Sequence, residues 1–308
     1  MQANITQSTF ANYGVTHITV DEPLAPHTTW RIGGPADVFV VPHSVDELRG
    51  AVLAANQLGL PRLIIGKGSN LLVQDGGIRG VVIKLGDKFS EVTIEGTELV
   101  AMAGKSYISV GNIAIKNNLQ GLEFATGIPG SVGGAVMMNA GAHGSETKDV
   151  LAFADVMDDS GEVRRFDKEA LQFGYRHSIL KDDPTLIAVA AGFVLRPGDQ
   201  EEMMKRRTGW TLRRSSTQPL SKPNCGSVFR NPVGTHAGYL IESAGLKGLR
   251  RGDAQISPKH ANFIVNLGHA TAADVLWLMH HAQETVRAIY GIDLETEVRI
   301  VGEPASGR

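Results

Sequence analysis

The sequence predicts an α+β fold, and three observations predict it. ADVFVVP, SVDELRGAVLAANQLGL and RLIIG read in succession as strand, helix and strand, one β-α-β unit from Val38 to Ile65. Beyond it, short β runs alternate with Gly- or Asp-rich turns around a single helical stretch, the pattern of short, twisted strands. No GxGxxG stands at a strand-to-helix junction, so a regular doubly wound dinucleotide fold is not indicated.

The elements follow in order. The first thirty residues form an extended or weakly helical lead-in ending in PHTTWRIGG. Pro42 stops the first strand; Ser44 is placed to cap the following helix, with Glu47 at the capping-box position and Gly59 as its stop. LLVQDGGIRGVVIKL, SEVTIEGTELVAMAG and VLAFADVMDDSGEVRRFD are β runs, the last turning at DDSG, and SYISVGNIAIKNNLQG is the helix inserted between them. LIAVAAGFVLRPGD is a strand closed by Pro197 and Gly198. The charged helical segment QEEMMKRRTGWTLRRSS then marks a boundary near residue 198. After it come a helix at GYLIESAGL, a strand at ANFIVNLG and a long helix from ATAAD, whose Val275, Leu278, Met279, Ala282 and Val286 share one face. ETEVRIVG is the last strand.

Composition narrows the function. Thirty basic against 32 acidic side chains give a formal charge of -2, which offers no basic footprint for nucleic acid. A single cysteine excludes an intrachain disulfide framework and fits a reducing compartment. No window approaches the roughly 20 apolar residues of a membrane helix, and the start has no secretory pattern. A cytoplasmic protein without membrane insertion is expected. Glycine is the departure from average, 36 of 308 residues, about 12% against about 7%.

The glycines cluster in RIGG, GKGSN and the tract TGIPGSVGGAVMMNAGAHG at 126–144. GKGSN after an apolar strand fits an anion-binding concavity or a plain turn, and it lacks the GxxxxGK[ST] spacing of a P-loop. Three such stretches point together to a large phosphate-containing cofactor, because backbone without Cβ atoms approaches a ligand closely. FGYRHSIL sets Tyr175, Arg176, His177 and Ser178 side by side, and arginine offers a planar donor fork to a carboxylate, phosphate or developing enolate. Neither His177 nor the pair at 280–281 belongs to a metal-ligand spacing, so no metal is expected. Cys225 has no Cys-His pattern and reads as a small buried residue, while Glu297 is one carboxylate in a terminal β run. The residues alone lead to an enzyme with a phosphate-bearing cofactor and no further.

RIGGPAD, IIGKGSNLLV, GIPGSVGGAVMMNAGAHG, FGYRHS, GSVFRNP, AGLKG, the KHANFIVN run and LETEVRIVG, in that order, resemble the UDP-N-acetylenolpyruvoylglucosamine reductase family over roughly residues 20–302. The resemblance implies an FAD-binding domain of the vanillyl-alcohol-oxidase/PCMH type in two α+β lobes, 1–66 and 67–198, and an α+β substrate-binding domain at 199–308. It implies NADPH as reducing co-substrate and reduction of UDP-N-acetylglucosamine enolpyruvate to UDP-N-acetylmuramate in peptidoglycan precursor synthesis. The chain looks like the shorter type, without the insertion that carries an extra clamping tyrosine. A monomer is expected.

The implied cofactor contacts are Arg31, Ile32, Gly33 and Gly34; Gly66, Lys67, Gly68, Ser69, Asn70 and Leu71; and Gly127, Pro129, Gly130, Ser131, Gly133, Gly134, Asn139 and Gly141. Ser227 is implied as proton donor, with Arg176 and Glu297 stabilising an enolate-like species and Cys225 a bystander. Tyr175, Lys247, His260 and Asn262 are candidate substrate contacts. An FAD-dependent oxidase and a nucleotide-binding regulatory protein are the competing readings.

Overall fold

The computed structural model describes residues 2–305. Contacts group the chain into two compact units. The first comprises Met1–Val20, Val38–Lys67 and Gly80–Leu212; the second comprises Asp21–Asp37, Gly68–Arg79 and Arg213–Arg308.

In the first unit the main sheet is antiparallel, in the order Val163–Asp167, Leu151–Met157, Ile187–Val194, Glu98–Met102, Val92–Glu95. The expected DDSG turn joins its first two strands, and Asp158 Oδ1 accepts the Ser160 and Glu162 backbone N–H groups at 2.9 and 3.1 Å. The helix Tyr107–Lys116 and the short helix Val132–Met137 bury Tyr107, Val110, Val132 and Val136 in the same core as Leu99, Ala191 and Phe193. A second core of this unit packs the helix Val45–Gln57, through Leu48, Ala51, Val52 and Ala55, with Val38, Val40, Val81 and Ile83. Burying such side chains is the main favourable term in holding these layers together.

The β-α-β reading is present as Pro35–Val40, Val45–Gln57 and Arg62–Ile65. Its two strands are not neighbours: Ile78–Lys84 lies between them, parallel to Arg62–Ile65 with Leu63 opposite Val82. The lead-in is more structured than expected, with a helix Gln2–Asn12 and a strand Ile18–Pro23. LLVQDGGIRGVVIKL is divided, because Leu71–Val73 leaves Ile78–Lys84 and pairs in parallel with Arg299–Val301. Pairing across more than two hundred residues leaves no local trace in sequence.

The second unit has its own core, where Trp30, Ile32 and Leu72 join Val228, Phe229, Ile264, Leu278 and Val298. The helix Ala272–Tyr290 lays Val275, Leu278, Met279, Ala282 and Val286, the face read from sequence, against the strands Arg250–Arg251 and Ala254–Ile256. Its start is fixed twice: Thr271 and Asp274 form a capping box, and the Asp75 carboxylate accepts the Ala272 and Ala273 N–H groups at 2.8 and 2.9 Å. Among the described residues no helix is long and apolar enough to cross a membrane.

The Val45–Gln57 helix begins as expected, with Ser44 Oγ accepting Glu47 N at 3.1 Å. Glu47 does not return the bond to Ser44. Its oxygens accept from Thr16 N at 2.8 Å, Thr16 Oγ1 at 2.9 Å and His43 N at 2.7 Å, which ties residues 16–17 to the helix start. Burial pushes the Glu47 carboxyl up, but bonds from the Thr16 and His43 backbones, the His17 ring and the Thr16 hydroxyl outweigh it and bring it down to about 2. A carboxylate lowered by folding stabilises above its unfolded value of 4.5 and loses that contribution as pH falls towards about 2. Glu47→Gln is therefore expected to lower stability by about 1–2 kcal/mol at neutral pH. In urea unfolding across a pH series, its difference from the parent protein should shrink between pH 4.5 and 2.

Candidate active site

The glycine-rich stretches fold against each other within each unit. In the first, Gly66 lies so close to Ser131 that a Cβ would overlap the serine hydroxyl, which brings the start of GKGSN onto the long tract. The tract is pinned from behind, with Tyr107 N donating to Gly130 O and Val132 N to Lys105 O, both at 2.9 Å. Pro129 and Gly134 stay exposed. In the second unit, Gly68 has φ 60° and sits on the His27 carbonyl, and Thr29 N donates to Gly68 O at 3.2 Å. This joins Gly68 to the TTWRIGG segment, where Arg31 has φ 56°.

These surroundings fit a flavin nucleotide. Backbone is packed at contacts that exclude side chains, and Thr29 Oγ1 is buried without a protein partner, a hydroxyl suited to a polar ligand group. Thr29 escaped the sequence reading although it lies beside RIGG, since nothing in sequence reveals an unmatched hydroxyl. Other members of the predicted set also serve the fold. Ile32 is buried in the second core, Gly34 is packed on the Asp75 carbonyl, and Leu71 lies in the strand paired with Arg299. Gly133 packs on Ala103, and Gly141 pairs with Glu146 in a two-residue ladder. Asn70 Nδ2 donates to Glu297 O at 3.1 Å.

Asn139 requires a correction. It is 0% exposed, and its amide is fully engaged inside the first unit: Nδ2 donates to Gly174 O at 2.9 Å and Glu146 Oε2 at 3.1 Å, while Oδ1 accepts from Lys148 N at 3.0 Å. Its side chain holds protein, not cofactor.

Arg176 stands in a tight turn closed by Gly174 N to His177 O at 3.0 Å and His177 N to Gly174 O at 3.3 Å. Its φ of 53° costs a non-glycine residue on the order of 1 kcal/mol. The guanidinium lies 5.0 Å from the ring centroid of Tyr175, which is 54% exposed. His177 pairs with Asp182 at 2.8 Å, so it serves the turn's surroundings.

In the second unit the structure brings Ser227 and Glu297 into neighbouring segments. Val228 N donates to Asn262 O at 2.9 Å, and Glu297 N donates to Val228 O at 2.8 Å. Asn262 is 3% exposed; Phe229 N donates to its Oδ1 at 3.0 Å, and its Nδ2 donates to Phe229 O at 2.8 Å. Both ends of that amide are committed, so the expected substrate contact is instead a clamp on the residues that follow Ser227. Cys225 is buried, and burial, with the Glu297 charge adding to it, pushes its thiol well above the ordinary value. A buried thiol held protonated is no nucleophile.

Lys247 pairs with Glu242 at 2.7 Å, a partner the sequence reading missed. Burial and then the Lys247 charge hold His260 below its ordinary value, against the opposing charge of Glu242, so these three groups form one electrostatic cluster. His17, His43 and Glu47 place possible ligand atoms within 4.8 Å of one another, but the carboxylate there is occupied by donors from Thr16, His17 and His43.

Residues 36–167 match the family model described as an FAD binding domain. Fold and site thus define a flavoprotein, an FAD-binding α+β protein with an α+β C-terminal part. Residues 218–301 match the model for the UDP-N-acetylenolpyruvoylglucosamine reductase C-terminal domain. Reductases of that name from Rubrobacter xylanophilus and Halalkalibacterium halodurans are 49% and 47% identical, over 92% and 94% of this chain and 95% and 96% of their own. The crystal structure of the Thermus caldophilus reductase is similar at TM-score 0.80 and 37% identity, covering 92% of this chain and 98% of that one. The chain belongs to the UDP-N-acetylenolpyruvoylglucosamine reductase family.

The Asn262 clamp is testable by itself. Asn262→Ala leaves the buried Phe229 N–H and C=O without partners and is expected to cost about 2–4 kcal/mol in urea unfolding.

Proposed function

We propose that the chain reduces UDP-N-acetylglucosamine enolpyruvate to UDP-N-acetylmuramate with NADPH, through bound FAD, in peptidoglycan precursor synthesis. The observation that carries the reading is the bond from Glu297 N to Val228 O at 2.8 Å, which sets a carboxylate beside the Ser227 segment in a chain matching its relatives nearly end to end. FAD, when bound, would supply hydride storage between NADPH and the enolpyruvyl double bond.

The chain's own residues do the rest. Ser227 gives a proton to the carbon bearing the carboxylate, completing addition of hydride and proton across the double bond. A neutral serine is a weak acid, so it acts only as negative charge develops on the substrate. Arg176 and Glu297 provide the electrostatic setting for that charge. Lys247 meets the diphosphate, with Glu242 steering its ammonium, and His260 and Tyr175 line the substrate. Gly66, Lys67 and the exposed face of the long tract in the first unit, and Thr29, RIGG, Gly68, Ser69 and Asn70 in the second, are the segments that would contribute contacts to FAD.

The proposed lobes are 1–66 and 67–198 and the proposed substrate-binding domain 199–308, except that residues 21–37 and 68–79 group with the C-terminal part and 199–212 with the first unit. The protein works as a cytoplasmic monomer and binds no nucleic acid, in keeping with its near-neutral charge.

The test is an anaerobic visible spectrum. Flavin colour should bleach with NADPH and return only when the enolpyruvyl compound is added; bleaching without return defeats the reading and favours an oxidase or a regulator. Ser227→Ala is expected to keep NADPH-driven bleaching and slow colour return by about 10²–10⁴-fold. Cys225→Ala should stay near the parent rates in both steps, and a selective loss there would transfer the proton-donor role. Thr29→Val, which keeps shape but removes the hydroxyl, is expected to weaken FAD binding about 5–10-fold in fluorescence titration of the apoprotein.

A further inference from the structure

Arg176 occupies a conformation its residue type avoids, and such a conformation persists only where the surroundings enforce it. Two side-chain bonds bracket the turn at 174–177. At its first residue, Asn139 Nδ2 donates to Gly174 O at 2.9 Å; just after it, buried Ser178 donates through Oγ to Met137 O at 2.8 Å. Met137 and Asn139 both belong to the glycine-rich tract, so the tract grips the arginine turn on both sides.

Asn139 is built for this task. Its own φ is 41°, it is fully buried, and the Lys148 N–H and the Glu146 carboxylate fix which way its amide faces. Neither leucine nor aspartate can replace it: one lacks polar atoms, and the other brings a charge without donors towards Gly174 O and Glu146. We infer that Asn139 is a positioning residue for Arg176, acting on the substrate half-reaction through the Gly174 carbonyl. This rests on the assignment of Arg176 to the enolpyruvyl step. It also gives the long tract a second task, orienting a catalytic side chain as well as accommodating the cofactor.

The experiment is anaerobic stopped-flow on the FAD-loaded protein, with Asn139→Ser, Arg176→Lys and the double variant. Asn139→Ser shortens the side chain so that it no longer reaches Gly174 O. FAD content and the NADPH step should stay within about 3-fold of the parent, while the enolpyruvyl step slows about 10- to 100-fold, in kcat more than KM. In the Arg176→Lys background the same change should have less than about 3-fold effect, because the group being positioned is already gone. Equal slowing of both half-reactions, or the full effect repeated in the Arg176→Lys background, overturns the inference. An enolpyruvyl step unchanged by Arg176→Lys alone removes the assignment of Arg176 and this inference together, whereas a slow Arg176→Lys beside a normal Asn139→Ser removes the inference only. Should Asn139→Ser fail to fold, Ser178→Ala releases the other tether and is read by the same two criteria.

Discussion

The run at 295–301 is held at successive points, and the placement of the Ser227 segment and of residues 70–73 depends on it. Arg230 N donates to Glu295 O at 2.9 Å, Glu297 N to Val228 O at 2.8 Å and Arg299 N to Asn70 O at 3.0 Å, before residues 299–301 pair in parallel with 71–73. One extended segment therefore joins the end of GKGSN to the Ser227 loop. Backbone bonds of this kind leave little freedom in where the Glu297 side chain begins, so the fold sets its starting point.

Buried amides carry the same logic elsewhere. Asn262 clamps Phe229, Asn139 clamps Gly174, and Asn266 donates to Trp30 O at 3.1 Å while accepting from Gly268 N and Ala270 N at 2.8 and 3.0 Å. A buried amide is costly unless its donors and acceptor are met, and each of these is met by backbone from a distant or irregular segment. The arrangement suits a protein whose functional stretches are loops. Where no helix or ladder fixes the backbone, a satisfied asparagine does so with direction as well as energy.

Periodicity revealed the elements whose signals are local. The apolar face of the helix Ala272–Tyr290, the Ser44 cap, the DDSG turn and the strand-helix-strand order over 38–65 all appear at or near their expected places. Sheet membership was hidden, as with Leu71–Val73, because a three-residue apolar run is equally compatible with many partners. In the site, the segments were legible and the division of labour within them was not. Asn139 and Asn262 stood in recognised motifs, yet only their neighbours in space show that both amides face inward.

The sequence by itself determined the fold class, the flavin-bearing character and the family, since these reside in residue types and their order along the chain. Tertiary structure alone decided which polar groups are spent on backbone, that the Cys225 thiol is buried and its pKa raised, and how Arg176 is kept in a strained turn. Burial and hydrogen-bond partners are properties of neighbours in space, and those neighbours lie up to hundreds of residues apart in the chain.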